Sequence, residues 1–81
     1  MTKQEIQDKV NTFLTEDFEV EASSLREDAL LKQDVGLDSL DWVDIVVSIE
    51  REFGFKPDPA ELKKTRTLGD LYNYILARVN G

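Results

Sequence analysis

The chain has 81 residues, 17 acidic and 10 basic, with no histidine or cysteine and a formal net charge of −7. That length allows one small core, hence a single domain over residues 1–81, and the lack of cysteine excludes disulfides and thiolate metal or redox sites. The negative charge opposes binding to nucleic acid or anionic membrane, whose phosphates would be repelled, and favours basic protein surfaces.

The start, Met1-Thr2-Lys3-Gln4-Glu5, has no apolar signal region, and no apolar run approaches a bilayer span, so a cytoplasmic protein is expected. Thr2 and Glu5 fit a capping box. Ile6, Val10, Phe13 and Leu14 follow as one apolar stripe, which predicts a first helix over about residues 3–15. Residues 16–37 show no sustained period. Their scattered apolar members predict a long connection that tucks Phe18, Val20, Leu25, Leu30, Leu31, Val35 and Leu37 beneath it. A turn of helix is expected within Ser24 to Leu31.

The second helix is predicted from Ser39 to Phe53, capped by Asp38 or Ser39 and ended by Gly54 in the left-handed conformation. Its β-branched residues lean toward strand, but roughly fifteen residues without Gly or Pro are long for a strand. Asp58-Pro59 marks a short third helix over about 59–64. Thr67 and Asp70 suggest another capping box. The period of Leu68, Leu71, Tyr72, Ile75, Leu76 and Val79 predicts a fourth helix over about 68–79, ending at Asn80-Gly81. The expected fold is all-α: a small antiparallel four-helix bundle with a long first connection.

A wheel of about 100° per residue divides the second helix into three sides. Trp42, Ile45, Val46, Ile49 and Phe53 form a core face. Asp41, Asp44, Ser48, Arg51 and Glu52 form a polar side. Leu40, Val43 and Val47 form a smaller apolar strip, flanked by Asp44 and Glu50. The wheel alone reads that strip equally well as extra core or as a contact patch with an acidic rim.

Gly36-Leu37-Asp38-Ser39-Leu40 places a hydroxyl where the loop becomes a helix. Taken alone, Asp38-Ser39 is most often a cap. A Ser-His-Asp hydrolase needs an imidazole, and the chain has none. A serine–lysine arrangement stays formally open, but 81 residues leave little room for a cleft and oxyanion hole. A calcium loop starting at Asp34 fails at Gly36, Ser39 and Ile45, where a ligand, a glycine and a bidentate glutamate are required. A phosphodiester on Ser39 fits, because a helix N-terminus favours an anion.

Asp34-Val35-Gly36-Leu37-Asp38-Ser39-Leu40-Asp41, continuing through Val43, Asp44 and Glu50-Arg51-Glu52-Phe53, resembles the acyl carrier proteins. The resemblance extends over essentially the whole chain and includes Thr67-Leu68-Gly69-Asp70-Leu71 at the last helix. It implies a carrier rather than an enzyme. Ser39, within a motif that includes Asp38, would bear a 4′-phosphopantetheine arm transferred from coenzyme A by a phosphopantetheinyl transferase. The arm's thiol would hold acyl groups as thioesters for the enzymes of fatty acid or related lipid or polyketide synthesis. It further implies docking of Leu40, Asp41, Val43, Asp44, Val47 and Glu50 on basic patches of those enzymes, an acyl cleft at Trp42, Val46 and Ile49, and a monomer. The sequence departs from the family pattern at Trp42, where a small residue is usual. It departs also at Arg51, where an acid is usual, and at the basic, bulky Gly54-Phe55-Lys56-Pro57. Trp42 is expected to narrow or reshape the cleft, for a cargo that is short, unusual or held outside, and the departures leave open a housekeeping fatty-acid carrier or a specialised one. Asp38 speaks against a peptidyl carrier, which has glycine there. An unmodified acidic adaptor, binding a basic surface through its second helix, is the alternative from another class.

Overall fold

A computed structural model describes residues 1–80 as four α-helices: α1 (Lys3–Asp17), α2 (Asp41–Phe53), α3 (Pro59–Leu62) and α4 (Leu68–Asn80). The expected all-α class holds; extended pairing among the described residues is limited to an isolated bridge between Leu30 and Thr67. The β-branched residues of α2 are helical, as its length required. Each end lies within two residues of its expected place, and Gly81 falls outside the described residues.

The helix starts follow the sequence closely. Thr2 Oγ1 accepts the Glu5 amide at 3.2 Å, and Glu5 Oε1 accepts the Thr2 amide at 3.0 Å, completing the α1 capping box. At α4, Thr67 Oγ1 accepts the Asp70 amide at 3.1 Å while Asp70 Oδ2 accepts the amides of Thr67 and Arg66, each at 3.2 Å. Those amides stabilise the ionised carboxylates, so both titrate below their ordinary values. The Thr2 amide is the largest cause at Glu5, and the Thr67 amide, then that of Arg66, at Asp70. Asp58 caps α3 through the Ala60 amide at 2.9 Å, with Pro59 at the first helical position. Gly54 ends α2 at φ 77°, a conformation glycine reaches without a Cβ clash.

Ile6, Val10, Phe13 and Leu14 of α1 are buried with Ile45, Val46 and Ile49 of α2 and Leu68, Leu71, Tyr72 and Ile75 of α4. α1 packs chiefly on α4. Between them the Tyr72 hydroxyl donates to Asn11 Oδ1, and burial pushes that phenol up to about 12. At their outer ends the Met1 amine donates to Asn80 Oδ1 at 3.0 Å.

The long connection is ordered by a second set of contacts. Val20, Ala29, Leu31, Val35 and Leu37 join the core. Phe18 and Leu25 pack against it half-buried, whereas Leu30 is exposed. The helical turn expected within Ser24 to Leu31 is displaced: a single 3-10 turn forms at Ala22–Ser24. The physical reason lies in α4, whose first amides have no partner of their own. The Leu68 amide donates to the Ala29 carbonyl and the Gly69 amide to the Glu27 carbonyl, each at 2.9 Å. Leu31 returns a bond, its amide donating to the Arg66 carbonyl at 2.8 Å. Backbone groups committed across the molecule cannot also close a local helix. Gly69 is required here, because a Cβ at that position would lie 3.0 Å from the Glu27 carbonyl oxygen.

Glu19, just after α1, adopts φ 57° and is the non-glycine residue with left-handed backbone among those described. That conformation costs an L-residue about 1–2 kcal/mol, against about 0.5–1 kcal/mol of extra chain entropy lost by glycine. Glu19→Gly is therefore expected to stabilise the fold by about 0.5–1 kcal/mol, measured as a raised urea midpoint at unchanged slope. The Asp70 carboxylate titrates lower folded than unfolded. Its contribution is complete above its ordinary value of 3.8 and is lost as pH falls through the folded value. Asp70→Asn should accordingly be less stable than the parent near neutrality and show a shallower loss of stability on acidification, read from urea unfolding at a series of pH values.

Candidate functional site

Three backbone amides and two carboxylates build the junction at Ser39. Asp38 Oδ1 accepts the amides of Leu40 at 2.9 Å and Asp41 at 3.2 Å, and Asp41 Oδ2 accepts the amide of Asp38 at 3.0 Å. The Asp41 amide also reaches the Asp38 carbonyl at 3.1 Å. This reciprocal arrangement has the pattern of a capping box but closes the turn before α2, since Leu40, directly ahead of the helix, makes no side-chain cap bond. The expected cap at Asp38 or Ser39 is therefore corrected: the cap position is Leu40, and Asp38, not Ser39, satisfies the amides of Leu40 and Asp41 from one turn earlier. Helical geometry begins at Asp41, two residues later than expected, since Ser39 and Leu40 are held in the turn. The consequence for Ser39 is direct. Its hydroxyl has no structural duty and the residue is exposed at the positive end of α2.

Beside it, Leu40, Val43 and Val47 are 79%, 67% and 56% exposed. The wheel left this strip open between core and contact patch; the fold puts it in solvent. Asp44 and Glu50 are exposed at its edges. Asp41 is half-buried, with its carboxylate engaged in that turn. Ser48, placed on the polar side by the wheel, is only 5% exposed. Ser48 shares with Asp44 and Val47 of α2, and with Asp17, Phe18, Glu19 and Val20 at the end of α1 and just after it, the lining of a groove of about 520 Å³. Arg51 fastens that edge through an ion pair to Asp17 at 3.0 Å.

A second groove, of about 560 Å³, opens on the other side of Ser39. Trp42, half-buried, forms part of its wall with Leu31 and Leu37. Val46 and Ile49, grouped with Trp42 in the sequence, are buried in the core and line neither groove. Thr65 and the cations Lys32, Lys63 and Arg66 also line this groove. The sequence reading missed them. Lys63 and Arg66 flank the end of a helix too short to give a period, and only the α4 anchor brings Lys32 beside them. Among the described residues no cluster of acidic side chains has the makings of a metal site. No described helix is long and apolar enough to cross a membrane.

Residues 8–75 match the family model of the phosphopantetheine attachment site. The chain belongs to that family. It is similar to an acyl carrier protein of Thermotoga maritima, 45% identical over 74 residues that cover 91% of each chain. It is also similar to an acyl carrier protein of Lactobacillus acidophilus, 33% identical over 75 residues, 93% of this chain and 94% of the relative. The family's group is 4′-phosphopantetheine, which needs an accessible hydroxyl and tolerance for a phosphodiester. An exposed, unbonded serine at a helix N-terminus meets both needs. The family is one of carriers rather than enzymes.

Proposed function

We propose that Ser39 is the attachment point and that the chain carries acyl intermediates of fatty acid or related lipid synthesis as thioesters on its arm. The observation that carries this reading is the division of labour at the junction. Asp38 and Asp41 close the turn ahead of α2 and leave the Ser39 hydroxyl free. The bound group supplies a thiol, which the chain itself lacks.

The protein's own residues position and present it. Asp38 fixes the turn from which Ser39 projects. Leu40, Val43 and Val47 offer partners an apolar centre, and Asp44 and Glu50 a charged rim. The partners are a phosphopantetheinyl transferase and synthetic enzymes with basic docking patches. A rim of this kind raises association rate and selects partners more than it adds affinity, which suits a protein that must leave each enzyme. We place Asp41 in that turn rather than the contact surface. Trp42, on the groove wall next to Ser39, in turn supports a specialised cargo that is short or held outside the core. A single carrier domain, acting as a cytoplasmic monomer, completes the reading.

Incubation with coenzyme A and a broad-specificity transferase is expected to add the mass of one phosphopantetheine, seen by intact-mass spectrometry, and Ser39→Ala should abolish the gain. A parent protein that stays unmodified would instead favour the unmodified adaptor, and a gain that survives Ser39→Ala would place the group elsewhere.

A further inference from the structure

The groove between α2 and the end of α1 carries charge of the opposite sign to the groove beside Trp42. Four carboxylates and one guanidinium line it, those of Asp17, Glu19, Asp41, Asp44 and Arg51. Arg51 is neutralised by Asp17 at 3.0 Å, and Asp41 accepts the Asp38 amide. Glu19 and Asp44 are exposed, and among the described residues neither carboxylate has an ion pair. A buried polar group faces the same space. Ser48 is only 5% exposed, yet its hydroxyl has no hydrogen-bond partner among the described residues. Every fully enclosed side-chain polar atom there is bonded, so the Ser48 hydroxyl is not enclosed and opens on the groove it lines. A polar group so deeply placed ordinarily has a partner. Glu19 enters the groove with its backbone in the left-handed region, at φ 57°, and strain of that kind gathers at binding sites.

Charge and spacing decide what fits. The excess of carboxylates calls for a cation. A compact metal ion does not suit them, because no three acidic side chains among the described residues converge as metal ligands. Carboxylates spread along an apolar wall suit a cation whose charges are spread along an apolar chain. Phe18, Val20 and Val47 supply that wall. The groove's volume of about 520 Å³ falls within the roughly 300–1,000 Å³ of sites that hold small ligands.

We propose that this groove binds linear alkyl diamines. One ammonium group lies between Asp44 and Ser48, the other meets Glu19, and the methylene chain between them rests against Phe18 and Val47. Asp44 and Ser48 stand four residues apart on α2 and so share a face, which lets one ammonium donate to the carboxylate and to the hydroxyl together. The bond to the ligand gives the Ser48 hydroxyl the partner it lacks in the protein. Glu19, held in its costly conformation, faces the second charge. The site uses none of the groups assigned to the arm and does not depend on attachment at Ser39.

The test is a titration of the unmodified protein with 1,4-diaminobutane at low ionic strength, followed by amide NMR. Saturable shifts are expected at Glu19, Val20, Asp44, Val47 and Ser48, with Lys63 and Arg66 in the other groove unmoved. Butylamine keeps the carbon chain and loses one charge, so it should need about fivefold more for half-saturation. Ser48→Ala should weaken diaminobutane binding by about threefold, the worth of one hydrogen bond. Glu19→Gln combined with Asp44→Asn should weaken it by about tenfold. Unchanged shifts of the α4 amides in both variants confirm that the fold is kept. Magnesium chloride at equal ionic strength separates a fitted site from a patch of negative potential. The same shifts with magnesium, equal half-saturation by butylamine, or binding indifferent to both variants would each overturn the site.

Discussion

The fold depends on three backbone hydrogen bonds between the long first connection and the start of α4. An isolated helix start leaves its first amides unsatisfied, and here Leu68 and Gly69 take the carbonyls of Ala29 and Glu27 while Leu31 takes that of Arg66. Apart from this stitch, the connection is held to the helices by side-chain contacts of Glu27 with Lys3 and Gln7 and by the Val20 amide on the Leu14 carbonyl; its other backbone bonds are local. With the stitch, Ala29, Leu31, Val35 and Leu37 are led under the surface in sequence, and the chain arrives at Asp38 with its direction set. The position of Ser39 is therefore determined from both sides, by the stitch upstream and by the aspartate-held turn ahead of α2 downstream.

The same constraint explains what could and could not be read from the residues. Helices α1, α2 and α4 were legible because each carries an apolar period with capping residues at its ends. The exposed hydroxyl was legible in kind, since Asp38-Ser39-Leu40 lies at a loop–helix border. Its freedom from capping was not, because Asp38 and Ser39 are both good caps and only geometry decides between them. The turn at Ala22–Ser24 and the burial of Ser48 were hidden for a common reason. Both lie where segments distant in sequence meet: Glu27 and Ala29 bond to the start of α4, and Asp17 to Val20 share a groove with α2, closed by the Arg51–Asp17 pair. The cationic groove was hidden in the same way, since Lys32 meets Lys63 and Arg66 only after the connection is anchored.

Ser39 stands on a boundary between two electrostatic environments. On one side the strip of Leu40, Val43 and Val47 is bordered by Asp44 and Glu50. On the other the groove beside Trp42 is bordered by Lys32, Lys63 and Arg66. Asp44 and Glu50 are thus kept apart from Lys32, Lys63 and Arg66, and the carboxylate on the groove side, Asp38, is bonded to the Leu40 and Asp41 amides. Arg51, a departure from the family's usual acid, does not blur this separation. Its charge is held by Asp17 and serves to fasten the edge of α1 to α2. The family assignment calls for an attachment point, and the exposed, unbonded hydroxyl of Ser39 supports the proposal that it lies there.

The dependence of the site on the α4 stitch is open to direct measurement by amide hydrogen exchange. If the account holds, the amides of Leu31, Leu68 and Gly69 exchange with opening free energies within about 1 kcal/mol of those of the buried α4 residues Leu71 and Ile75, as members of one cooperative unit. Exchange of Leu31, Leu68 and Gly69 at the rates of an open loop, while Leu71 and Ile75 stay protected, would contradict it.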